Sequence, residues 1–114
     1  MRHVSFFLAA LPIVAQAAPY QSVMNGEQFA AMLAKQPANQ FEYRERDRAY
    51  AYLDGVRDAT LGTIWCPTQP RKTHELAYDA ADYMRGLHAE LRKESAARLL
   101  LTYLSKQYPC GGKQ

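Results

Sequence analysis

The sequence predicts an all-α fold: a small four-helix domain with one disulfide, following a cleaved signal peptide. Three observations lead there. Apolar residues recur at spacings of three and four in four separate stretches, and no stretch of useful length alternates with the period of two that a strand requires. The chain has only two cysteines, each beside a proline, in Trp65-Cys66-Pro67 and Tyr108-Pro109-Cys110. The first seventeen residues have the makeup of an export signal.

That leader is read from its three parts. Met1-Arg2-His3 is a short basic start, Val4 to Val14 is almost wholly apolar, and Ala15-Gln16-Ala17 has the small-x-small pattern that the narrow subsites of a signal peptidase accept. A membrane-spanning helix needs about 20 apolar residues, whereas this run is shorter and contains Pro12. No cysteine stands at the cleavage point, which argues against lipid anchoring. The expected organisation is a signal peptide over residues 1–17 and one helical domain over residues 18–114, a length of 97 residues that suits one domain and not two.

Export places Cys66 and Cys110 where disulfides persist. A bond between them closes the chain between 66 and 110 into a loop and ties the C-terminal tail to the end of the preceding helix. Two cysteines 44 positions apart, with only His74 and His88 beyond the leader, do not make a zinc site. Nor does their spacing supply the histidine and orienting partner that a nucleophilic cysteine needs. Without Arg2 the chain carries 13 basic and 11 acidic residues, a net charge of +2. The signs are interleaved, with neither a nucleic-acid footprint nor a polybasic membrane patch. Arg44, Arg46 and Arg48, alternating with Glu45 and Asp47, read as a solvated helix start.

The first helix follows an extended lead-in over residues 18–25. Asn25 serves as N-cap, Glu27 and Gln28 stand in the first turn, and Phe29, Met32 and Leu33 form a short apolar face before Pro37. This helix is expected to cover one edge of the core. Residues 37–42 are expected as a loop. A long helix then runs from about Tyr43 to Ile64, with Ala49, Leu53, Val56, Thr60 and Ile64 on one face. Asp54 and Asp58 form an i, i+4 carboxylate pair on this helix; beside Arg57 they read as solvated surface and not as an acid–base pair. Gly55, which costs about 1 kcal/mol relative to alanine inside a helix, is expected to admit a close neighbour. Gly62 marks an irregular end, and Pro67 and Pro70 stop the helix.

The third helix is expected from near Thr73 to about Leu87, burying Leu76, Ala80, Tyr83, Met84 and Leu87. Glu75, Asp79 and Asp82 stack beside that face as an acidic stripe, which fits either solvated surface or a contact for a basic partner. His74 and His88 stand at the two ends of this helix, roughly 20 Å apart at 1.5 Å per residue, too far to share a metal ion. Residues 88–94 are polar and charged and are expected to form a break, although nothing in them forbids one continuous helix from Thr73 onward. The fourth helix, Ser95 to Gln107, presents Ala96, Leu99, Leu100, Tyr103 and Leu104 to the core. Leu101 lies off that stripe with Ala97 and Tyr108, a pattern that suggests a homodimer contact. There is no glycine-rich phosphate loop, metal-ligand spacing or nucleophile elbow, so neither catalytic residues nor a cofactor are expected.

In order and spacing these motifs resemble one family. A signal peptide, Tyr52-Leu53-Asp54-Gly55-Val56, Trp65-Cys66-Pro67, Tyr83-Met84-Arg85-Gly86-Leu87-His88 and a leucine-rich helix ending in Tyr108-Pro109-Cys110 look like the Rap/Tai family. These are periplasmic immunity proteins that accompany amidase effectors of the type VI secretion system. The likeness runs from about Gly26 to Cys110. The sequence departs from the pattern at Ala89, where such chains often carry proline. The resemblance implies a non-catalytic protein of the periplasm that binds and blocks a peptidoglycan amidase with a Cys-His site in a groove. On this reading Glu75, Tyr78, Asp79 and Asp82 of the third helix, with His88 and Glu90 of the following loop, form the partner-binding surface. The runner-up, from a different class, is a periplasmic acid-stress chaperone or other small helical binding protein, driven by protonation of carboxylates.

Overall fold

The computed structural model describes residues 3–5 and 21–111. Apart from His3 to Ser5, the expected signal peptide lies outside the described residues. Five helices are present among them: α1 (Gly26–Met32), α2 (Gln40–Thr60), α3 (Thr73–Arg85), α4 (Ala89–Arg92) and α5 (Ala96–Gln107). Four match the periodic stretches of the sequence. The fifth, α4, is a single turn inside the expected break.

The shortest of the four periodic helices is the one around which the others assemble. α1 touches α2, α3, α4 and α5, so it is a central plug and not the edge cover its length suggested. Phe29 is fully buried, with Ala30 and Leu33 beside it. Its start is fixed by a capping box: Asn25 Oδ1 accepts from the Gln28 N–H at 2.8 Å, and Gln28 Oε1 accepts from the Asn25 N–H at 2.9 Å. The lead-in is also sewn to the far end of the chain. The Gly26 N–H donates to the Glu94 carbonyl at 3.0 Å and the Ala96 N–H to the Met24 carbonyl at 2.9 Å, an antiparallel bridge centred on Asn25 and Ser95.

Gly26 is the glycine that close packing requires. A Cβ there would overlap Leu99 Cδ1 and stand 3.2 Å from the Arg92 carbonyl oxygen. Gly55, expected to admit a neighbour, has nothing within 4 Å of its Cβ position and is exposed. The sequence singles out Gly55, inside a helix; the lead-in bridge makes Gly26 the crowded one.

α2 begins three residues before Tyr43 and ends four before Ile64. At its start the Asn39 side chain accepts from the Glu42 N–H at 2.9 Å. Glu42 in turn accepts from the Ala38 N–H at 2.7 Å and pairs with Lys35 Nζ at 2.7 Å, so the presumed loop residues are already part of a cap. At its end Leu61 turns extended and Gly62 adopts φ +84°, a left-handed conformation that glycine takes without steric penalty. The Gly62 N–H then closes onto the Trp65 carbonyl at 2.8 Å. The turn throws Ile64 outward, 46% exposed, and brings Trp65 inward to full burial.

Trp65 seals the base of the core. Its ring lies 5.8 Å from that of Tyr108, and the next residue, Cys66, is bonded to Cys110. The Cys66 N–H also donates to the Tyr108 carbonyl at 2.7 Å. The ends of α2 and α5 are thereby held together by a covalent bond, a backbone hydrogen bond and an aromatic contact. Arg57 closes the α2–α3 connection, donating to Thr73 Oγ1 at 2.5 Å and the Arg71 carbonyl at 2.7 Å. Asp54 accepts from the Thr73 hydroxyl and lies 3.7 Å from Arg57. That carboxylate therefore anchors the start of α3.

On α3 the buried residues are Leu76, Ala77, Ala80, Ala81 and Met84. Tyr83 and Leu87, expected inside, are half-buried. Three alanines make this face shallow, which suits its close approach to α1. α5 buries Ala96, Leu99, Leu100 and Leu104 as its periodicity implied, and half-buries Tyr103 against Tyr83, ring centroids 5.4 Å apart.

Candidate functional site

The sequence-derived surface residues fall on α3 and on the turn that follows it. Glu75, Asp79 and Asp82 are exposed and lie on one side of α3 about one turn apart. Asp82 pairs with Arg85, whose guanidinium also donates to the Ala30 carbonyl at 3.2 Å. Glu75 and Asp79 belong to none of the ion pairs among the described residues. Their carboxylates stand next to aromatic surface. Burial pushes the Tyr103 phenol up from its usual range, and the negative charges of Asp79 and Asp82 add to that rise. The strip is therefore acidic along α3 with a half-buried tyrosine of α5 beside it.

Tyr78 sits differently from its acidic neighbours. It is half-buried, with its ring edge-on to that of Tyr50 at 6.5 Å. It faces α2, on the opposite flank of the strip from Tyr103.

The turn after α3 is rigid for a reason legible in hydrogen bonds. Arg92 donates to the Leu87 carbonyl at 3.0 Å and the Arg85 carbonyl at 3.3 Å, satisfying carbonyls that the helix end leaves without partners. His88 is the N-cap residue of α4 and is exposed. Glu90 is exposed and pairs with Lys93 at 3.2 Å. The break lies at Gly86 to His88, and Ala89 starts α4.

Several residues that line the surface around α3 escaped the reading of the sequence. Arg46, Tyr50, Arg71 and Tyr108 all come from outside α3, and each gathers at its flank. Nothing in the local sequence marks them, because they come from α2, the connection before α3 and the C-cap of α5, which only tertiary packing brings to this flank. Among the described residues no group of three His, Cys, Asp or Glu side chains is placed to hold a metal ion. No described helix is long and apolar enough to cross a membrane.

A small helical domain, clamped by one disulfide and presenting a rigid helix with an acidic and aromatic surface, has the form of a protein-binding module. Comparison with known families makes this specific. The family model for Rap1a immunity proteins matches residues 25–110, from the N-cap of α1 to the second cysteine of the disulfide, and the chain belongs to that family. It is an immunity protein, and its partner is an effector protein. A comparison with curated proteins returned no match.

Proposed function

We propose that the chain is exported to the periplasm, where it binds and blocks a peptidoglycan amidase delivered by a type VI secretion system. The family assignment supports an effector as partner. The leader-like residues 1–17 and the Cys66–Cys110 bond support an oxidising compartment outside the cytoplasm. The observation that carries the choice of surface is the exposed acidic strip of Glu75, Asp79 and Asp82 on a helix whose other face is locked into the core.

Blocking a hydrolase groove requires no chemistry from the inhibitor. A rigid helix and its adjoining turn need only fill the groove, with a desolvated centre for affinity and a polar rim to exclude water. Glu75, Asp79 and Asp82 would meet a basic wall of the groove, and His88 with Glu90 its mouth. Tyr78 contributes as the half-buried aromatic edge of that surface.

The test is co-expression with a periplasmically targeted amidase encoded beside this chain. Growth rescue is expected, and continued lysis with the chain well expressed overturns the amidase reading. Charge reversal at Asp79 and Asp82 is expected to weaken effector binding by about tenfold or more, as for loss of one or two charge pairs; unchanged affinity moves the interface elsewhere. A homodimer through Leu101 has weaker support. The Ala97 N–H is taken by the Tyr52 hydroxyl at 3.0 Å and Tyr108 packs on Trp65, so much of that patch is already covered. Sedimentation at concentrations spanning the micromolar range decides it. The acid-stress chaperone has no comparable support, since the family match speaks for an immunity protein.

A further inference from the structure

A protein interface needs an apolar anchor as well as a polar rim, and the α3 strip supplies only the rim. Glu75, Asp79 and Asp82 are exposed, whereas no large apolar side chain of α3 is. The anchor must come from a neighbouring element. Phe41 is exposed, but it borders an opening of about 400 Å³ that is ringed by Lys35, Glu42, Glu45 and Arg48. Leu91 is exposed singly, between Glu90 and Arg92, and a lone surface leucine is ordinary. Leu61 and Ile64 stand apart from these. Both are exposed on the connection from α2 to α3. They lie within residues 59–70, the longest run without Asp, Glu, Lys or Arg between Gly26 and Cys110. Depletion of charge marks the core of an interface.

The connection carries a hollow of about 410 Å³ against Leu61, Pro67 and Pro70, with Arg57 and Arg71 also lining it. Both of those charges are engaged inside the chain. The Arg57 guanidinium donates to Thr73 Oγ1 and the Arg71 carbonyl, and the Arg71 guanidinium lies over the Tyr108 ring, 5.2 Å from its centroid. What they add to the hollow is aliphatic stem. The backbone here is fixed in advance: the Leu61 and Gly62 N–H groups donate to the Arg57 and Trp65 carbonyls, both at 2.8 Å. A pre-ordered loop loses little conformational freedom on binding.

This hollow adjoins the acidic strip. Arg71 lines both it and the second hollow, whose wall includes Glu75 and Asp79. The Cys66 N–H, at the first hollow, donates to the carbonyl of Tyr108, at the second. We propose that the effector-binding surface runs from Glu75 and Asp79 across Arg71 onto the α2–α3 connection, where an aliphatic or aromatic side chain of the effector seats against Leu61, Pro67 and Pro70. The strip is then the charged rim and the connection the apolar anchor. This placement rests on the strip facing the effector, and it does not depend on the effector being an amidase.

The probe is the effector protein encoded beside this chain, in a catalytically inactive form, titrated into the full chain by calorimetry at several temperatures and salt concentrations. Leu61→Ala is expected to weaken binding about tenfold or more, as for one leucine no longer buried. Its heat-capacity change of binding becomes less negative, while the salt dependence stays that of the parent and circular dichroism shows the same fold. Charge reversal at Asp79 and Asp82 weakens binding and alters the salt dependence instead. Should Leu61→Ala not fold, Leu61→Gln keeps the length, makes the end polar and carries the same expectation. A loss on charge reversal with none at Leu61 overturns the anchor and leaves the strip standing. A loss at Leu61 alone supports the anchor and removes the strip, and no loss at either overturns both.

Discussion

Trp65 donates its indole N–H to Thr60 Oγ1 at 3.0 Å, and Thr60 donates its own hydroxyl to the Val56 carbonyl at 2.6 Å. The last turn of α2 thus receives the ring that follows it, five residues on, through a single side-chain oxygen. Thr60→Val keeps the volume and removes the acceptor, leaving a fully buried indole N–H unpaired. The expected cost is about 1–3 kcal/mol, with a smaller loss for Thr60→Ser. Urea unfolding followed by tryptophan fluorescence measures it at the site itself, since Trp65 is the only tryptophan.

Gly26, at the start of α1, and Gly55, inside α2, should respond to alanine with opposite signs. Gly26→Ala forces a Cβ onto Leu99 and toward the Arg92 carbonyl, and a loss of about 1–3 kcal/mol is expected from overpacking. Gly55→Ala meets nothing and is expected to gain about 1 kcal/mol from helix propensity. Thermal melts of the two variants, run side by side with the parent, decide the matter; stabilisation by Gly26→Ala would refute the close approach.

Replacing both Cys66 and Cys110 by serine opens the loop between α2 and the tail. The chain-entropy model sets an upper loss of about 4 kcal/mol for a loop of this length. Effector affinity of the folded fraction is expected to stay unchanged, because neither cysteine lies on the α3 strip. A double serine variant that folds as well as the parent yet loses binding would contradict the view of the bond as a structural clamp.

Glu42 supplies a pH signature. Its hydrogen-bonded pairing with Lys35, aided by the Ala38 N–H, holds its carboxyl below the usual value of 4.5. In the window between the two values the unfolded chain binds more protons than the folded one, so stability rises with pH there. The contribution is present above 4.5 and is lost as the pH falls below that value through the lowered one. Melting temperatures of the parent and Glu42→Gln should therefore differ at neutral pH and converge in acid. A gap that persists in strong acid would show that the substitution acts through packing.

Much of the helical architecture is legible in the sequence because α2, α3 and α5 each bury one stripe, and a stripe imposes its period on the residues. Leu53, Leu76, Leu100 and Leu104 all announce themselves in this way. What was hidden depends on contacts between distant segments. The role of α1 as a plug is invisible from seven residues, since centrality comes from what surrounds a helix and not from its length. Ile64 continued the α2 period but left the helix, because Gly62 turned the chain first. Ala77 and Ala81 carry little hydrophobic signal, although their small size suits the close packing of α3 on α1. At the candidate site the charges of Glu75, Asp79 and Asp82 could be placed on one side of a helix from spacing alone. Arg46, Tyr50 and Tyr108 could not be set at the flank of that helix, because α2 and the end of α5 reach it only through tertiary packing.

The bridge from Met24 and Gly26 to Glu94 and Ala96 joins the start of the domain to the start of its last helix. It is a contact of long sequence separation, added to the packing of α1 on α2 and α3 and of Phe29 on Tyr52. The two ends of the domain are therefore one joint: trimming the chain from the front past Met24, or from the back past Ala96, removes the same pair of hydrogen bonds.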